Sequence, residues 1–393
     1  MTLAWRELPR ASQRLALLGL AAAIVCAIGG FLDPAAFFQA WLVNWLFLLG
    51  ISLAAMMDVM IHELTGGKWG RVLRPPLEAA MSALPFVALL AIPLAFGLQD
   101  LFAWARADDV AASTLLQAKQ WYLNRPAFLL RNALWLVVWS VFALRLRRRL
   151  ATNTEADVRA RRRLSVAGLL VYLATITLVA YDFIASLVPE WSSTAVGVRL
   201  GVAQFVAALG FAVPFAVLDA RAQRQVPAAT ARDYQDFGNL LLTFAMMWAY
   251  IAFTQYLIVW GEDLPRETSW YWPRVATSWR GLAFAIAFLN FALPVVAMLF
   301  RGIKRNGSAL AVVCGLALLG QWLDCLWLVA PSLRPDGFSM HWLDVAALVA
   351  EGAPWLALVI ALAERAFVAP APSSCRSDRA WLSGHRPPTC PTA

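Results

Sequence analysis

The side chains of this chain best placed to do chemistry are acids and one imidazole set inside long apolar stretches. Glu351 stands ten residues into the apolar run 341–363, with Asp344 seven residues before it. Asp324 follows Gln321 by three residues, so the two are neighbours on a helix. Asp182 has Ser186 one turn further on, and Gln255 lies near the end of a later run. Asp58 and His62 are four apart, Glu63 follows, Glu78 opens one run, and Asp236 with Asn239 opens another. A charge at membrane depth is costly, which makes each of these a functional candidate. Carboxyl groups in apolar surroundings and an imidazole near neutrality suit stepwise proton transfer. Two half-paths are expected. One runs from the inner side through His62, Asp58, Glu63 and Glu78; the other runs outward through Glu351, Asp324 and Asp182, with Asp344 beside it. The plain alternative for each group is burial against a neighbour, or a side chain that snorkels to the headgroups.

Other chemistries lack their residues. The five cysteines, Cys26, Cys314, Cys325, Cys375 and Cys390, form no CxxC pair and no CxxCH haem motif. Cys314 and Cys325 read as small apolar filler in one helix. His62 and His341 fall on opposite sides of the membrane, which argues against a bis-histidine haem. Gly66-Gly67-Lys68-Trp69-Gly70 lacks the spacing of a phosphate loop and follows no strand, so it reads as a tight turn. No metal-ligand cluster and no Ser/His/Asp nucleophile set is present. No metal is expected, and no cofactor is expected to be bound by the chain itself.

These groups need elements to position them, and the composition says which. The chain has 393 residues, 61% apolar and 15% charged, with a mean hydropathy of +0.63. An ordinary soluble domain is about half apolar and about a quarter charged, so the expected solvent is lipid. A span needs about 20 apolar residues to cross a ~30 Å hydrocarbon core. Ten runs qualify: 14–31, 37–60, 77–98, 127–145, 164–188, 195–218, 237–260, 279–300, 308–330 and 341–363. The expected fold is an all-α polytopic membrane protein with one transmembrane domain, residues 1–369, and a disordered cytoplasmic tail, 370–393, rich in Pro, Ser and Arg. The first run precedes no A-x-A cleavage pattern and is expected to be retained as a helix, not removed as a signal peptide.

The net charge of +9 comes from 33 basic residues in short segments between apolar runs, not from one soluble basic face. That pattern sets membrane topology and excludes a nucleic-acid partner. With the N-terminus inside, 24 basic residues fall inside and nine outside, which favours both termini on the cytoplasmic side. The most basic stretch, 145–163, reads as an inner loop touching anionic lipid. Trp260 and the run Trp270-Tyr271-Trp272-Pro273 read as an aromatic belt at the outer headgroups. The longest outer loop is 99–126.

Several strings resemble the NrfD-like membrane subunits of quinol:electron-carrier oxidoreductases. Asp182-Phe-Ile-Ala-Ser-Leu-Val-Pro-Glu-Trp-Ser-Ser-Thr194 resembles the D-W/F-x-x-S-L-x-P-x-W-x-S-T segment that closes helix 5 in that family. Gly66-Gly-Lys-Trp69 with Arg74, Glu78 and Leu84-Pro85 is similar to its entry to helix 3. Lys119, Tyr122-Leu-Asn124 and Arg131 resemble its entry to helix 4. Gly238-Asn239, Trp248-Ala-Tyr250, Phe253-Thr-Gln-Tyr256, Trp260 and Leu264-Pro-Arg-Glu267 resemble its helix 7 and the following loop. Pro294 and Arg301 to Arg305 resemble the end of helix 8. The resemblance covers residues 35–365 and looks closest to the ActF-type subunit of alternative complex III.

The resemblance implies two antiparallel four-helix bundles, helices 2–5 and 6–9, with flanking helices. It implies an integral subunit of a quinol-oxidising respiratory complex in a bacterial inner membrane, without its own redox cofactor, contributing a proton path or completing the membrane sector. Its partners would be a second NrfD-like subunit, a c-type cytochrome and an iron–sulfur protein, with quinol nearby. Asp182 and Glu78 occupy the family's helix-5 and helix-3 carboxylate positions. Asp182, Ser186, Trp191 and Gln255 are the quinone-site candidates. Tyr181 stands next to Asp182 where a quinol-site histidine is absent. Two alternatives stay open: a quinone-binding catalytic subunit of a variant complex, and a stand-alone transporter built around Glu351.

Overall fold

The computed structural model describes residues 9–67, 69–150, 152, 154–221 and 229–368. It contains ten helices long and apolar enough to cross a membrane. They are α1 (Arg10–Leu32), α2 (Pro34–Thr65), α3 (Val72–Phe96), α4 (Arg125–Leu150), α5 (Glu155–Leu187), α6 (Val196–Asp219), α7 (Ala231–Glu262), α8 (Trp279–Leu299), α9 (Gly307–Leu333) and α10 (Trp342–Glu364). Each matches one apolar run of the sequence, and no strand occurs among the described residues. The chain is a multi-pass membrane protein. The disordered tail expected at 370–393, like Cys375 and Cys390, lies outside the described residues.

Capping chemistry moves several ends outward from the apolar runs. Thr230 and Asp233 form a capping box, with the Thr230 amide 2.8 Å from Asp233 Oδ2. This starts α7 at Ala231, so Asp236 and Asn239 lie inside the helix and do not open it. Thr154 caps α5 by accepting from the Asp157 amide. The arginine-rich stretch 145–163, expected as a loop, is therefore mostly two helix ends. Similarly, a helix already runs from Trp69 to Ser82, so Glu78 stands in its third turn. The glycine pair that leads into it is a tight turn, as expected: Gly66 and Gly67 take φ of +70° and +108°, which favour glycine.

α2 to α5 pack as one four-helix ring, and α6 to α9 as a second. α2 and α6 join the rings, α10 lies along α2 and α3, and α1 packs against α10. α2 is thus the central helix, buried along nearly its whole length. Prolines interrupt α3 at Pro85 and Pro93, where a ring nitrogen cannot donate to the preceding turn. Two indoles of α2 cover carbonyls beside those breaks: Trp45 Nε1 donates to Val87 and Trp41 Nε1 to Leu90, at 3.0 and 2.8 Å. Satisfying backbone from neighbouring helices is what lets a broken helix survive at membrane depth.

The expected outer loop 99–126 is not extended. Short helices at Leu98–Leu101, Ala103–Ala105, Ala107–Ala112 and Thr114–Lys119 bury Leu101, Trp104, Val110 and Leu116 and cap the first ring. The aromatic belt divides. Trp260 and Trp272 are exposed, as a belt requires, but Trp270 and Tyr271 are buried between the elements.

Candidate functional site

The acids fall into two chemical groups, separated by whether an arginine reaches them. At the outer end of the first ring, Arg131 of α4 holds Asp182 of α5 with two parallel hydrogen bonds of 2.9 and 2.7 Å. Asn132 Nδ2 adds a third at 2.9 Å. Asp182 is fully buried. The Arg131 guanidinium also lies 3.9 Å from the Tyr122 ring centroid, a cation–π contact. Burial, and then the nearby Asp182 charge, push the Tyr122 phenol up to about 12. Lys119 Nζ donates to the Pro189 carbonyl at 2.5 Å, and burial pulls its pKa down. This corner is electrostatically closed: the acid accepts three donors and the cation spends two on it.

The second ring repeats the device. Arg199 of α6 donates to Asp324 of α9 at 2.5 Å, with Trp248 Nε1 of α7 3.4 Å from the other carboxylate oxygen. Beside it Arg274, fully buried, pairs with no carboxylate among the described residues. Its nitrogens donate to the carbonyls of Trp270, Trp327 and Leu328 and to Ser332 Oγ. Its guanidinium stacks 3.4 Å from the centroid of Trp270, which stacks in turn on Trp191 at 4.7 Å. Burial pulls the Arg274 pKa down, while four oxygen acceptors satisfy its guanidinium. Burial also pushes Tyr271 up to about 12. At the head of α10, Arg334 holds Asp344 with bonds of 2.9 and 3.0 Å, and its Nε donates to Gln39.

At the arginine-rich end, Glu63 bridges Arg161 at 2.8 Å and Arg74 at 3.4 Å, and Arg74 also pairs with Glu78. His62 turns away from Asp58. Its Nε2 lies 3.1 Å from the Gly67 carbonyl, its ring meets Trp69 edge-on, and Gly70 leaves room for it. The inner half-path expected through His62, Asp58, Glu63 and Glu78 is therefore not one hydrogen-bonded array. Glu63 and Glu78 belong to an ion-pair knot, and His62 fastens the turn. Nor do Glu351, Asp324 and Asp182 meet: Asp182 and Asp324 sit in different rings, each on its own arginine.

Two acids remain. Glu351 is wholly buried on α10, about 14 Å from the helix start at 1.5 Å per residue. Among the described residues neither of its carboxyl oxygens has a hydrogen-bond partner. One turn further in, Trp355 Nε1 of α10 donates to Ser52 Oγ of α2 at 3.0 Å. Asp58 is buried on α2, about 10 Å from its inner end, and its Oδ2 is unpaired. On the neighbouring α5, the Tyr172 hydroxyl donates to Gln204 of α6 at 2.8 Å. Toward the outer end of α2, Asn44 accepts from Trp322 Nε1 at 2.7 Å and donates to the Asp344 carbonyl at 3.0 Å. Along α2 and α10 a series of polar side chains thus spans the bilayer at Gln39, Asn44, Ser52, Glu351 and Asp58. They face different neighbours and do not form one continuous chain.

Of the quinone-site candidates, Ser186 and Trp191 line a cleft of about 250 Å³ with Lys119, Tyr122, Tyr181 and Pro189. Asp182 is shut behind Arg131. Gln255 is buried on α7 with its carbonyl oxygen unpaired, and it does not line the cleft. No group of three metal-ligating side chains occurs among the described residues.

Sequence reasoning missed the roles of Arg199, Arg274 and Arg334, which it counted only as outer basic residues, and of Arg131, which it named only within a family string. All nine outer basic residues except Arg280 bond a carboxylate or a backbone carbonyl. The available signal was depth: Arg131 and Arg199 stand several residues inside apolar runs. Against models of known protein families and against characterised proteins the chain has no match.

Proposed function

We propose that the chain is an integral subunit of a quinol-oxidising respiratory complex of the alternative-complex-III kind, carrying no redox group of its own and conducting protons along the seam of α2 and α10. The observation that carries the proton-conducting part is the pair of buried acids without arginine, Glu351 and Asp58, on two packed helices. An isolated ionised carboxyl in such surroundings costs several kcal/mol. A chain with arginines to spare places one on Asp182, Asp324 and Asp344 and none on these two. Acids kept free of a fixed cation can gain and lose a proton, whereas acids held by one cannot do so cheaply.

The respiratory part rests on the resemblance. Two of its strings, Lys119 to Arg131 and Asp182 to Thr194, share no sequence neighbourhood yet meet at the Arg131–Asp182–Tyr122 corner. That convergence supports reading them as one inherited unit. On this reading the membrane is a bacterial inner membrane, and the partners are a second NrfD-like subunit, a c-type cytochrome and an iron–sulfur protein. The alternative, a quinone-binding catalytic subunit, finds its support in the cleft at Ser186 and Trp191. At about 250 Å³ it falls below the roughly 300–1,000 Å³ typical of ligand pockets, and no acid lines it, so the first reading is preferred.

The test is purification of the tagged full chain in mild detergent, followed by proton-to-electron stoichiometry in Glu351→Gln and Asp58→Asn variants. Co-purifying c-type haem and an iron–sulfur subunit, with lowered stoichiometry and normal electron transfer in the variants, is the expected result. A colourless chain purified alone would refute the respiratory reading and favour a transporter. An assembled complex with unchanged stoichiometry would refute the proton path.

A further inference from the structure

We infer that the arginine-rich ends of α4 and α5 form a binding site for a phospholipid with two phosphates, of the diphosphatidylglycerol class. The inference does not depend on the proposed respiratory role. Two open clefts lie side by side there. One, of about 470 Å³, is lined by Ala156, Arg159, Ala160, Arg163 and Leu164. The other, of about 380 Å³, is lined by Arg145, Arg148, Arg149, Ala160 and Leu164. Ala160 and Leu164 are walls of both, so the clefts adjoin across one edge of α5.

Each cleft holds a guanidinium with no acid of its own. Arg163 in the first, and Arg145 and Arg148 in the second, have neither an ion pair nor a hydrogen bond among the described residues. Arg159 pairs only with Glu155 at 3.3 Å, an exposed contact worth little. Arg149 is held by Asp157 at 2.6 Å and completes a wall. Free arginines matched to two adjacent clefts suit two phosphates, which accept bidentate hydrogen bonds from guanidinium.

The surface next to the clefts selects a lipid over an acidic protein segment. Toward the membrane centre, Val137, Val141 and Leu144 of α4 and Val166, Leu170 and Leu173 of α5 are exposed. One amphipathic molecule satisfies both features, with headgroup phosphates on the arginines and acyl chains on the apolar strip. Basic pockets between helices at the cytoplasmic surface are where such headgroups bind.

The experiment measures lipid retained by the full chain purified in mild detergent, by extraction and mass spectrometry. Wild-type chain should keep about one diphosphatidyl lipid. The triple variant Arg145→Gln, Arg148→Gln, Arg163→Gln should retain it at least fivefold less, since each removed charge weakens binding by roughly fivefold near an anionic surface. A control triple with the same charge loss elsewhere, Arg232→Gln, Arg301→Gln, Arg305→Gln, should retain it as wild type does. Equal retention in the first triple, or equal loss in both, would overturn the proposal. If the first triple fails to fold, the wild-type melting temperature decides. A rise with diphosphatidyl lipid that exceeds the rise with a one-phosphate lipid at equal charge supports the site. An equal rise, a rise with inorganic phosphate alone, or an acidic protein found bound through these arginines overturns it.

Discussion

Replacing Asp182 by Ala should destabilise the chain by an amount that can be bracketed from its contacts. The carboxylate is wholly buried and accepts three hydrogen bonds, two from Arg131 and one from Asn132. Hydrogen bonds between membrane helices average about 0.6 kcal/mol each, so three give roughly 2 kcal/mol as a floor. The substitution also leaves Arg131, 15% exposed at its side chain, without its anion. Removing one partner of a buried pair costs roughly 3–5 kcal/mol, most of it from the stranded charge. The expected loss is therefore about 2–5 kcal/mol. Removing both charges, Asp182→Leu with Arg131→Met, should cost less than the single change, because no unpaired ion is left. Reversible unfolding in mixed detergent measures both. Limited proteolysis of segment 99–126 gives a local readout, since Arg131 stacks on Tyr122 and anchors that cap. A single variant within about 0.5 kcal/mol of wild type, less than one average membrane hydrogen bond, would refute the closed-corner reading. So would a double variant worse than the single.

Glu351→Gln should leave unfolding free energy within about 1 kcal/mol of wild type, since it removes no ion pair and keeps the side-chain volume; a larger loss would show an anchoring contact and retire Glu351 as a proton carrier. In a tyrosine absorbance titration of the folded chain, Tyr122 and Tyr271 should stay un-ionised at about pH 11, while denaturant releases all seven tyrosines near the ordinary value of about 10. The unfolded chain binds fewer protons between about pH 10 and about pH 12, so stability should fall as pH rises through that window and be flat just below it; stability rising there would contradict the burial of both phenols. Trp322→Phe should cost about 1 kcal/mol or less by removing the indole donor to Asn44, whereas Asn44→Leu, which also crowds the α2–α9–α10 junction, should cost more; the reverse order in the same unfolding assay would rule out Asn44 as the hub of that junction.

The sequence made the ten spans legible because lipid imposes length and apolarity on every helix. It did not make the ends legible. Thr154 and Thr230 start helices in polar sequence by satisfying first-turn amides, which a hydropathy window does not weigh. The acids were legible one at a time, but their partners were not. Asp182 meets Arg131 and Asp324 meets Arg199 across 51 and 125 residues of chain, and periodicity within one helix has no information about a neighbour. His62 and Asp58, four apart on α2, illustrate the limit from the other side. Shared helical spacing suggested one array, but the turn at Gly66 and Gly67 draws the imidazole outward to the Gly67 carbonyl.

The arrangement of arginines separates structural acids from functional ones in this chain. At the outer ends of the two rings and at the head of α10, a guanidinium fixes each buried acid and ties two elements together: α4 to α5, α6 to α9, and the 334–344 turn to itself. A proton cannot use those carboxyls without breaking a charge-assisted contact between elements, so they are poor relays even though they lie at membrane depth. Glu351 and Asp58 are themselves buried on α10 and α2, and no arginine pairs with either among the described residues. Reprotonation there would disturb no ion pair. Depth alone, which first singled out all eight acids and the histidine, therefore ranks them poorly. The stronger criterion is depth without a cation, and in this fold only Glu351 and Asp58 among those candidates meet it.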